Sequence, residues 1–310
     1  MDEHAPAPLP HDPLWPRAGG WPAPPDESAA DGPAGFDAVL LGIGTWRTSL
    51  SPTGAGATPA AVREALRRYS PDLGSGGSLR GLRIVDAGDL ADPDGLGDAA
   101  AAAEVARAAG RGRLLIALGG DNALTVPAML GACGLRLAEA GLITLDAHHD
   151  LRDGRSNGSP VRRLLERGLS GARTVQLGIA DFANSLEYAA RAAEAGVTVV
   201  PRGDFERLSP EEIAERALRI AGAAGGPVHV DVDVDVCDRA VAPGCPASLP
   251  GGLSAWQLRR TVRLLARDPR VRSIDVAEVD AGADAPDGRT VRLAALCVLE
   301  ALAGLAEREA

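Results

Sequence analysis

Two short segments of the sequence bring acids and a histidine together at a spacing that suits metal ions. The first contains Asp146, His148 and Asp150, which would project to the same side of an extended chain. Crowded together, two carboxylates and an imidazole would repel one another or stay poorly solvated, and a divalent cation relieves both problems. The segment therefore predicts a metal site in preference to a solvated acidic loop.

The second segment alternates valines with Asp231, Asp233 and Asp235 along one predicted strand. Burying three ionised carboxylates on one strand is costly unless a metal or another cation compensates. The alternative is an edge strand with a wet acidic face. Hydrophobic helical segments flank this strand in the sequence, and they favour a buried strand.

The two segments contain four aspartates that could bind metal, and two divalent cations would balance their charge. Two such ions, roughly 3.5–4 Å apart, can share a water, lower its pKa towards neutrality and present it as hydroxide. Ligands that are mostly carboxylates favour manganese over zinc. The four aspartates are Asp146, Asp150, Asp233 and Asp235.

A third candidate is the run Gly119-Gly120-Asp121-Asn122, which follows another apolar stretch. The two glycines would let the backbone turn sharply. Asp121 and Asn122 would then either cap a helix or face a ligand, and the run alone leaves both interpretations open. A phosphate-binding loop is disfavoured, because no Gly-Lys-Ser/Thr follows.

Eight apolar runs alternate with helical segments after residue 35, and these elements must position the candidate residues. Near-continuous apolar runs are typical of strands covered on both faces. The alternation predicts one α/β domain over 36–310, with a parallel eight-stranded sheet between two helical layers. Ligands bind beyond the carboxyl ends of such strands, where all three candidate segments fall. The predicted strands cover 38–44, 82–87, 114–118, 142–146, 174–178, 197–200, 228–234 and 273–276, with helices at 59–69, 97–110, 160–167, 210–223 and 255–267, among others.

Residues 1–35 differ in composition from the rest of the chain. They are rich in Pro, Ala and Gly, and nine prolines would break any helix or central strand. We therefore expect an irregular arm. Trp15 and Trp21 could attach it to the body of the protein or to a neighbouring subunit.

Composition also excludes several classes of protein. The net charge of −10 argues against nucleic-acid binding, which requires a basic face. No apolar run approaches the roughly 18 residues of a membrane span, and the first residues do not resemble a signal peptide. The four cysteines form no CxxC pair, so we expect reduced thiols in a cytoplasmic protein.

Together these motifs resemble those of the ureohydrolase family, which comprises arginases, agmatinases and formimidoylglutamases. The resemblance also includes Ala-Pro-Gly at 242–244 and Pro-Gly-Gly-Leu at 250–253, and it covers nearly the whole chain after the arm. It implies a three-layer fold, a centre of two manganese ions, hydrolysis of a linear amidine or guanidino compound, and assembly into trimers or hexamers.

The resemblance also implies a role for each site residue. Asp146 and Asp233 would bridge the two ions, and a bridging hydroxide would attack the amidine carbon. Asp150 would carry a proton to the departing nitrogen, and Glu278 would bind the cationic amidine group. The implied metal ligands are Asn122, Asp146, His148, Asp150, Asp233 and Asp235.

Two departures distinguish this chain from arginases and agmatinases. Those enzymes usually carry histidine at the position of Asn122, and an amide oxygen should hold that ion less tightly. They also usually carry a proton-shuttling histidine where this chain has Asn157, which we therefore assign to substrate binding. Both departures resemble formimidoylglutamases, as does the run Asp150-Leu151-Arg152.

The arginines near the second motif suit a substrate with carboxylates. N-formimidoyl-L-glutamate has two carboxylates beside one amidine, and Arg152 could bind one of them bidentately. Arg155, Arg162 and Arg163 are further candidates, for which a solvated basic patch is the alternative. We therefore expect hydrolysis of this compound to L-glutamate and formamide, a step of histidine degradation.

Two other functions stay open. One is an agmatinase or another ureohydrolase that acts on a guanidino compound and releases urea. The other is a metal-poor relative that binds a ligand without catalysis. Asn122, the missing shuttle histidine and the extra acid Asp231 favour this last possibility, whereas the intact aspartates and His148 favour catalysis.

Overall fold

The computed structural model describes residues 12–25 and 35–309, and all eight predicted strands are present there. The strands are Phe36–Ile43 (β1), Ile84–Asp89 (β2), Gly112–Gly119 (β3), Gly141–Leu145 (β4), Thr174–Ile179 (β5), Thr198–Pro201 (β6), Val228–Asp233 (β7) and Val271–Ala277 (β8). They form one sheet in the order β2-β1-β3-β8-β7-β4-β5-β6, and every pairing is parallel. The predicted α/β class and the parallel eight-stranded sheet are confirmed.

Helices cover both faces of this sheet. They are Thr58–Leu66 (α1), Pro93–Ala109 (α2), Thr125–Cys133 (α3), Pro160–Glu166 (α4), Leu186–Glu194 (α5), Pro210–Ala221 (α6), Ala255–Ala266 (α7) and Arg289–Ala306 (α8). Apolar residues of α1, α6, α7 and α8 pack on one face, and those of α2, α3, α4 and α5 pack on the other. The predicted three-layer arrangement is therefore confirmed.

The acidic strand lies near the middle of the sheet. β7 is paired with β8 on one side and β4 on the other, and all six of its residues are buried. The alternative of an edge strand with a wet acidic face is therefore wrong. Asp231 lies inside the sheet, in register with Thr144 of β4 and Asp275 of β8.

Part of the predicted arm packs along the body of the protein. Residues 12–25 contain neither helix nor strand. Trp21 packs against the core, and the nearby Pro22 carbonyl accepts a hydrogen bond from Asp86 N at 2.9 Å. Trp15 is half exposed, so Trp21 makes the apolar attachment. The rest of the predicted arm, residues 1–11 and 26–34, lies outside the described residues.

The cysteines and the helices of the described residues also bear on the expectations from composition. All four cysteines are buried as free thiols. Among the described residues, no helix combines the length and the apolar character that crossing a bilayer requires.

Candidate metal centre

The six side chains expected to bind metal all lie at the carboxyl edge of the sheet. They follow β3, β4 and β7, and Glu278 follows β8, so four adjacent strands supply the site. Five of the six are buried and His148 is half-buried. A cavity of about 340 Å³ opens beside them. Its walls include His148, Asp150, Arg152, Asn157, Asp233, Asp235 and Glu278.

Three of these side chains form a compact group of possible metal ligands. One ligand atom from each of Asp146, His148 and Asp235 lies within 4.8 Å of the other two. His148 Nδ1 is 2.7 Å from Asp235 Oδ2 and 3.5 Å from Asp146 Oδ1. In the described part of the chain, the buried Asp146 Oδ2 has no hydrogen-bond partner. A buried carboxylate oxygen without a donor is costly, so these residues fit a divalent cation.

Two matching turns deliver these ligands from the ends of their strands. β4 ends at Leu145, and Asp146 Oδ1 then accepts the backbone N–H of His148 at 2.6 Å. β7 ends at Asp233, whose Oδ1 accepts the backbone N–H of Asp235 at 2.8 Å. Such hydrogen bonds curl the backbone, so each aspartate positions the ligand two residues after it.

The expectation that residues 146–150 form an extended segment is wrong. The chain turns after β4, and Asp150 adopts a left-handed backbone with φ of 53°. Glu278, which directly follows β8, is also left-handed, with φ of 61°. This conformation is sterically unfavourable for residues other than glycine. The strained backbone coincides with two acids that face the cavity, as is common at functional sites.

Glu278 is held by two donors. Its Oε1 accepts the backbone N–H of Asn122 at 2.8 Å and the side-chain amide of Asn157 at 2.6 Å. Asn157 Oδ1 in turn accepts the backbone N–H of Leu50 at 3.0 Å. Asn157 therefore lines the cavity and also fixes Glu278 through one of its two carboxylate oxygens.

The side-chain amide of Asn122 is already hydrogen-bonded at both ends. Its Nδ2 donates to Asp150 Oδ2 at 2.6 Å, and its Oδ1 accepts from Thr125 Oγ1 at 2.7 Å. To bind an ion through Oδ1, the amide must give up the Thr125 hydroxyl or share its oxygen. This competition is a second reason, besides the weak donor strength of an amide, to expect a weaker site here.

The chain bends at Gly120 and Asp121, directly after β3, as the glycines led us to expect, although neither glycine has a positive φ. The two glycines also allow close packing. A Cβ on Gly120 would lie 2.2 Å from the carbonyl oxygen of Thr45, and one on Gly119 would lie 2.4 Å from that of Val276. The glycines thus let the chain at the ends of β1, β3 and β8 come together. Asp121 caps the short 3-10 turn that follows, as one interpretation predicted.

The acids of the site cannot all be ionised in the free protein. Burial, followed by the charge of neighbouring aspartates, raises the pKa values of Asp150 and Asp233 well above their usual range. The same causes raise the pKa of Asp146 to about 7. Burial lowers the pKa of His148, but Asp235 and Asp146 outweigh it and raise the value to about 12. The free site therefore holds protons that a bound cation would displace.

Asp231 lies below the site and not in the cavity wall. It is fully buried, and burial together with the charge of Asp275 raises its pKa well above the usual range. Asp275 Oδ2 is also 2.9 Å from His229 Nε2. The neighbouring charge of Asp275 therefore favours the neutral form of Asp231. The structure separates Asp231 from the candidate metal ligands with which the sequence grouped it.

Of the four candidate arginines, only Arg152 lines the cavity. Its side chain is exposed and, among the described residues, forms no ion pair. Arg155 and Arg163 pair with Asp98, and Arg162 pairs with Glu166. These three arginines are therefore engaged outside the cavity.

Sequence reasoning missed the residues that hold the loop after β4, which carries the candidate ligands. Asn184 Oδ1 accepts the backbone N–H of His149 at 2.9 Å, and its Nδ2 donates to the Ala147 carbonyl at 2.9 Å. Gln176 Oε1 is 2.7 Å from His149 Nδ1, and Gln176 Nε2 donates to the His149 carbonyl. Asn184 follows β5 at the same edge of the sheet, so a search of every strand end would have found it.

Comparisons with known proteins agree with this geometry. A sequence model of the Arginase family matches residues 36–304. The formimidoylglutamase of Halalkalibacterium halodurans is 34% identical over 285 residues, which cover 86% of each chain. The crystal structure of Bacillus subtilis formimidoylglutamase superposes with a TM-score of 0.87 at 27% identity, covering 98% of this chain and 96% of that one. A formiminoglutamase structure from Trypanosoma cruzi with Mn2+ gives a TM-score of 0.77 at 25% identity, with coverage of 88% and 94%.

The strand order, the strand-end acids and the matched region define a single class of protein. The chain belongs to the arginase family. Its relatives named above are formimidoylglutamases, and their similarity extends over nearly the whole described domain.

Manganese binding should release protons and tighten as the pH rises. The raised carboxyl pKa values keep protons in the free site at about pH 6, and these protons compete with the ion. The dissociation constant should fall about tenfold per pH unit for each proton displaced. Isothermal titration in buffers of different ionisation enthalpy would measure the release. A dissociation constant that does not change between about pH 6 and pH 8 would contradict this account.

Proposed function

We propose that this chain hydrolyses N-formimidoyl-L-glutamate to L-glutamate and formamide. The observation that supports this most directly is one cavity with a buried carboxylate, Glu278, and an exposed unpaired guanidinium, Arg152. An amidine cation that also carries carboxylates complements these two groups. The relatives named as formimidoylglutamases support the same substrate.

Two manganese ions would occupy the site. Its four aspartates balance their charge, and His148 and the weaker donor Asn122 complete the ligand set. When bound, the ions would supply Lewis-acid chemistry that lowers the pKa of water in the site. The Mn2+ in the Trypanosoma cruzi relative supports the choice of metal.

The side chains around the ions then have separate tasks. Glu278, fixed by Asn157 and the Asn122 backbone, binds the amidinium and orients its carbon. Burial raises the pKa of Glu278 to about 8 in the free protein, and a cationic amidinium beside it favours the ionised form. Asp150 accepts the Asn122 amide on Oδ2, which leaves Oδ1 to hold a proton. As a water adds its oxygen to the amidine carbon, Oδ1 takes up the proton that this water loses. The proton then passes to the departing nitrogen, the amino nitrogen of glutamate, as the bond between the amidine carbon and that nitrogen breaks.

A ureohydrolase acting on a guanidino compound is the second candidate. The guanidinopropionase of Pseudomonas aeruginosa is 36% identical over 200 residues, although these cover only 61% of each chain. The product separates the two candidates, since guanidino substrates yield urea and the amidine yields formamide. A non-catalytic relative is the third candidate, and fewer than about one bound divalent ion per chain after loading would favour it.

The pathway is proposed from the reaction, and the assembly is proposed from the resemblance to the family. We place it in the breakdown of histidine in the cytoplasm, as a trimer or hexamer. Size-exclusion chromatography with light scattering would test the assembly.

The purified protein, loaded with manganese, should release formamide from N-formimidoyl-L-glutamate and release far less urea from agmatine or arginine. The Asp233→Ala variant is the control, because it lacks a predicted ligand to both ions and should lose activity altogether. Chromatographic detection of formamide and a colorimetric urea assay would measure both products. Urea release without formamide release would overturn the proposed substrate.

Arg152→Ala should raise KM for N-formimidoyl-L-glutamate by about 10- to 100-fold, because a hydrogen-bonded charge pair is lost. KM for any residual agmatine hydrolysis should change much less, since agmatine has no carboxylate. Steady-state kinetics on both substrates would measure the difference, with Arg136→Ala as a control at an exposed arginine away from the cavity. Equal effects on the two substrates would remove the assigned role.

Asn122→His should tighten manganese binding at the weaker site. Imidazole is a stronger ligand than an amide oxygen and does not depend on the oxygen that Thr125 now occupies. Titration of metal-free protein, followed by metal analysis, would measure the dissociation constant. An unchanged constant would contradict ligation at this position.

A further inference from the structure

Asp98 gathers three arginines on one carboxylate. Arg163 Nη2 lies 2.5 Å from Asp98, Arg167 Nη2 lies 2.7 Å away, and Arg155 Nη2 lies 3.3 Å away. The Asp98 side chain is only 14% exposed and that of Arg163 only 6%. A buried arginine needs a close anion, and Asp98 provides it.

The backbone of α2 is shaped around this carboxylate. Gly97 breaks the helix with φ of 73° and ψ of 164°, so the long regular part of α2 starts at Asp98. Only glycine adopts such a conformation without strain. The break places Asp98 at the start of a helix, beside α4 and the loop that precedes it.

All three arginines belong to residues 152–167, a segment that contains one loop of the cavity wall, helix α4 and the residue after it. Its loop, residues 152–158, contains neither helix nor strand and carries Arg152 and Asn157. Within the loop, Arg152 N donates to the Gly158 carbonyl at 3.0 Å. Such a loop takes its position from side-chain contacts with its surroundings, and Arg155 makes one of them from the middle of the loop.

We propose that Asp98 is a positioning residue for the substrate cavity. Through Arg155 and Arg163 it anchors the loop and α4 to α2, and so sets where Arg152 and Asn157 meet the substrate. This inference rests on the proposed function, and it assigns a task to a residue of α2 that does not line the cavity.

The contacts of the three arginines with Asp98 differ in burial and in their place along the chain. Variants at each arginine can therefore distinguish an effect on the position of the loop from an effect on overall stability. The Arg163 contact is buried and supports the fold, whereas Arg155 is half exposed and such pairs add little to stability. Arg167 is also partly exposed and contacts the same carboxylate, but it caps the end of α4 and lies outside the loop. It is therefore a matched control for Arg155.

Arg155→Gln should raise KM for N-formimidoyl-L-glutamate by about fivefold, the upper range for an exposed pair, with kcat and the unfolding midpoint unchanged. Arg167→Gln should leave KM unchanged. Asp98→Asn should raise KM and also lower the unfolding midpoint, because it leaves Arg163 unpaired. Asp98→Glu keeps the carboxylate, so its KM and its unfolding midpoint should both lie closer to the wild-type values than those of Asp98→Asn. Equal KM effects for the Arg155 and Arg167 variants would overturn the proposal.

Amide hydrogen exchange tests the anchor independently of catalysis. Residues 152–158 should exchange faster in Arg155→Gln and Asp98→Asn, while Arg167→Gln should match the wild type there. Unchanged exchange in both of the first two variants would overturn the anchor even if the enzyme is active. If the variants show the predicted differences in exchange but the wild-type protein releases no formamide, the anchor stands and the proposed function is contradicted.

Discussion

The constraint on which this structure depends is electrostatic. Four aspartates and a glutamate lie buried around one cavity, and carboxylates in such surroundings lose their charge or acquire a cation. His148 can neutralise one neighbour, and its contact with Asp235 does so. The remaining acids are left with raised pKa values, so the free protein holds protons where the proposed ions would bind. The same buried carboxyl groups therefore affect both the stability of the fold and the binding of the proposed ions.

Backbone N–H groups hold several of these carboxylates in place. The hydrogen bonds from His148 N to Asp146 and from Asp235 N to Asp233 repeat one turn on two neighbouring strands. The Ala147 N–H then donates to Asp235 Oδ1 at 3.0 Å and ties the two turns together. Each aspartate is therefore both a structural cap for its own turn and a candidate ligand. One residue type serves two purposes here, which is why changing it would disturb geometry as well as charge.

The sheet and the identity of the site acids could be predicted because both depend on local signals. Strands covered on both faces appear as unbroken apolar runs, and the acids directly follow them. Helices α3 and α8 were not named from the sequence, because most of their residues are buried and no polar face marks a helical period. Helix α5 also has no clear sequence signal, because it is short and Ala-rich and only Ala192 of it is buried.

The details of the site could not be predicted, because they depend on contacts between distant parts of the chain. Asn157 meets Leu50 and Glu278, and Arg155 meets Asp98, across separations that no spacing pattern reveals. The left-handed backbone at Asp150 likewise contradicts the extended geometry that its spacing suggested.

Those left-handed acids also bear on how this protein could evolve or be engineered. A glycine at position 150 or 278 would relieve the backbone and remove a buried carboxyl group at the same time. The same change would leave the side-chain amide of Asn122 without its acceptor at position 150, or the Asn122 and Asn157 donors without theirs at position 278. The relief of the backbone would therefore be offset by lost hydrogen bonds, and either acid can be replaced only together with the residues that hold it.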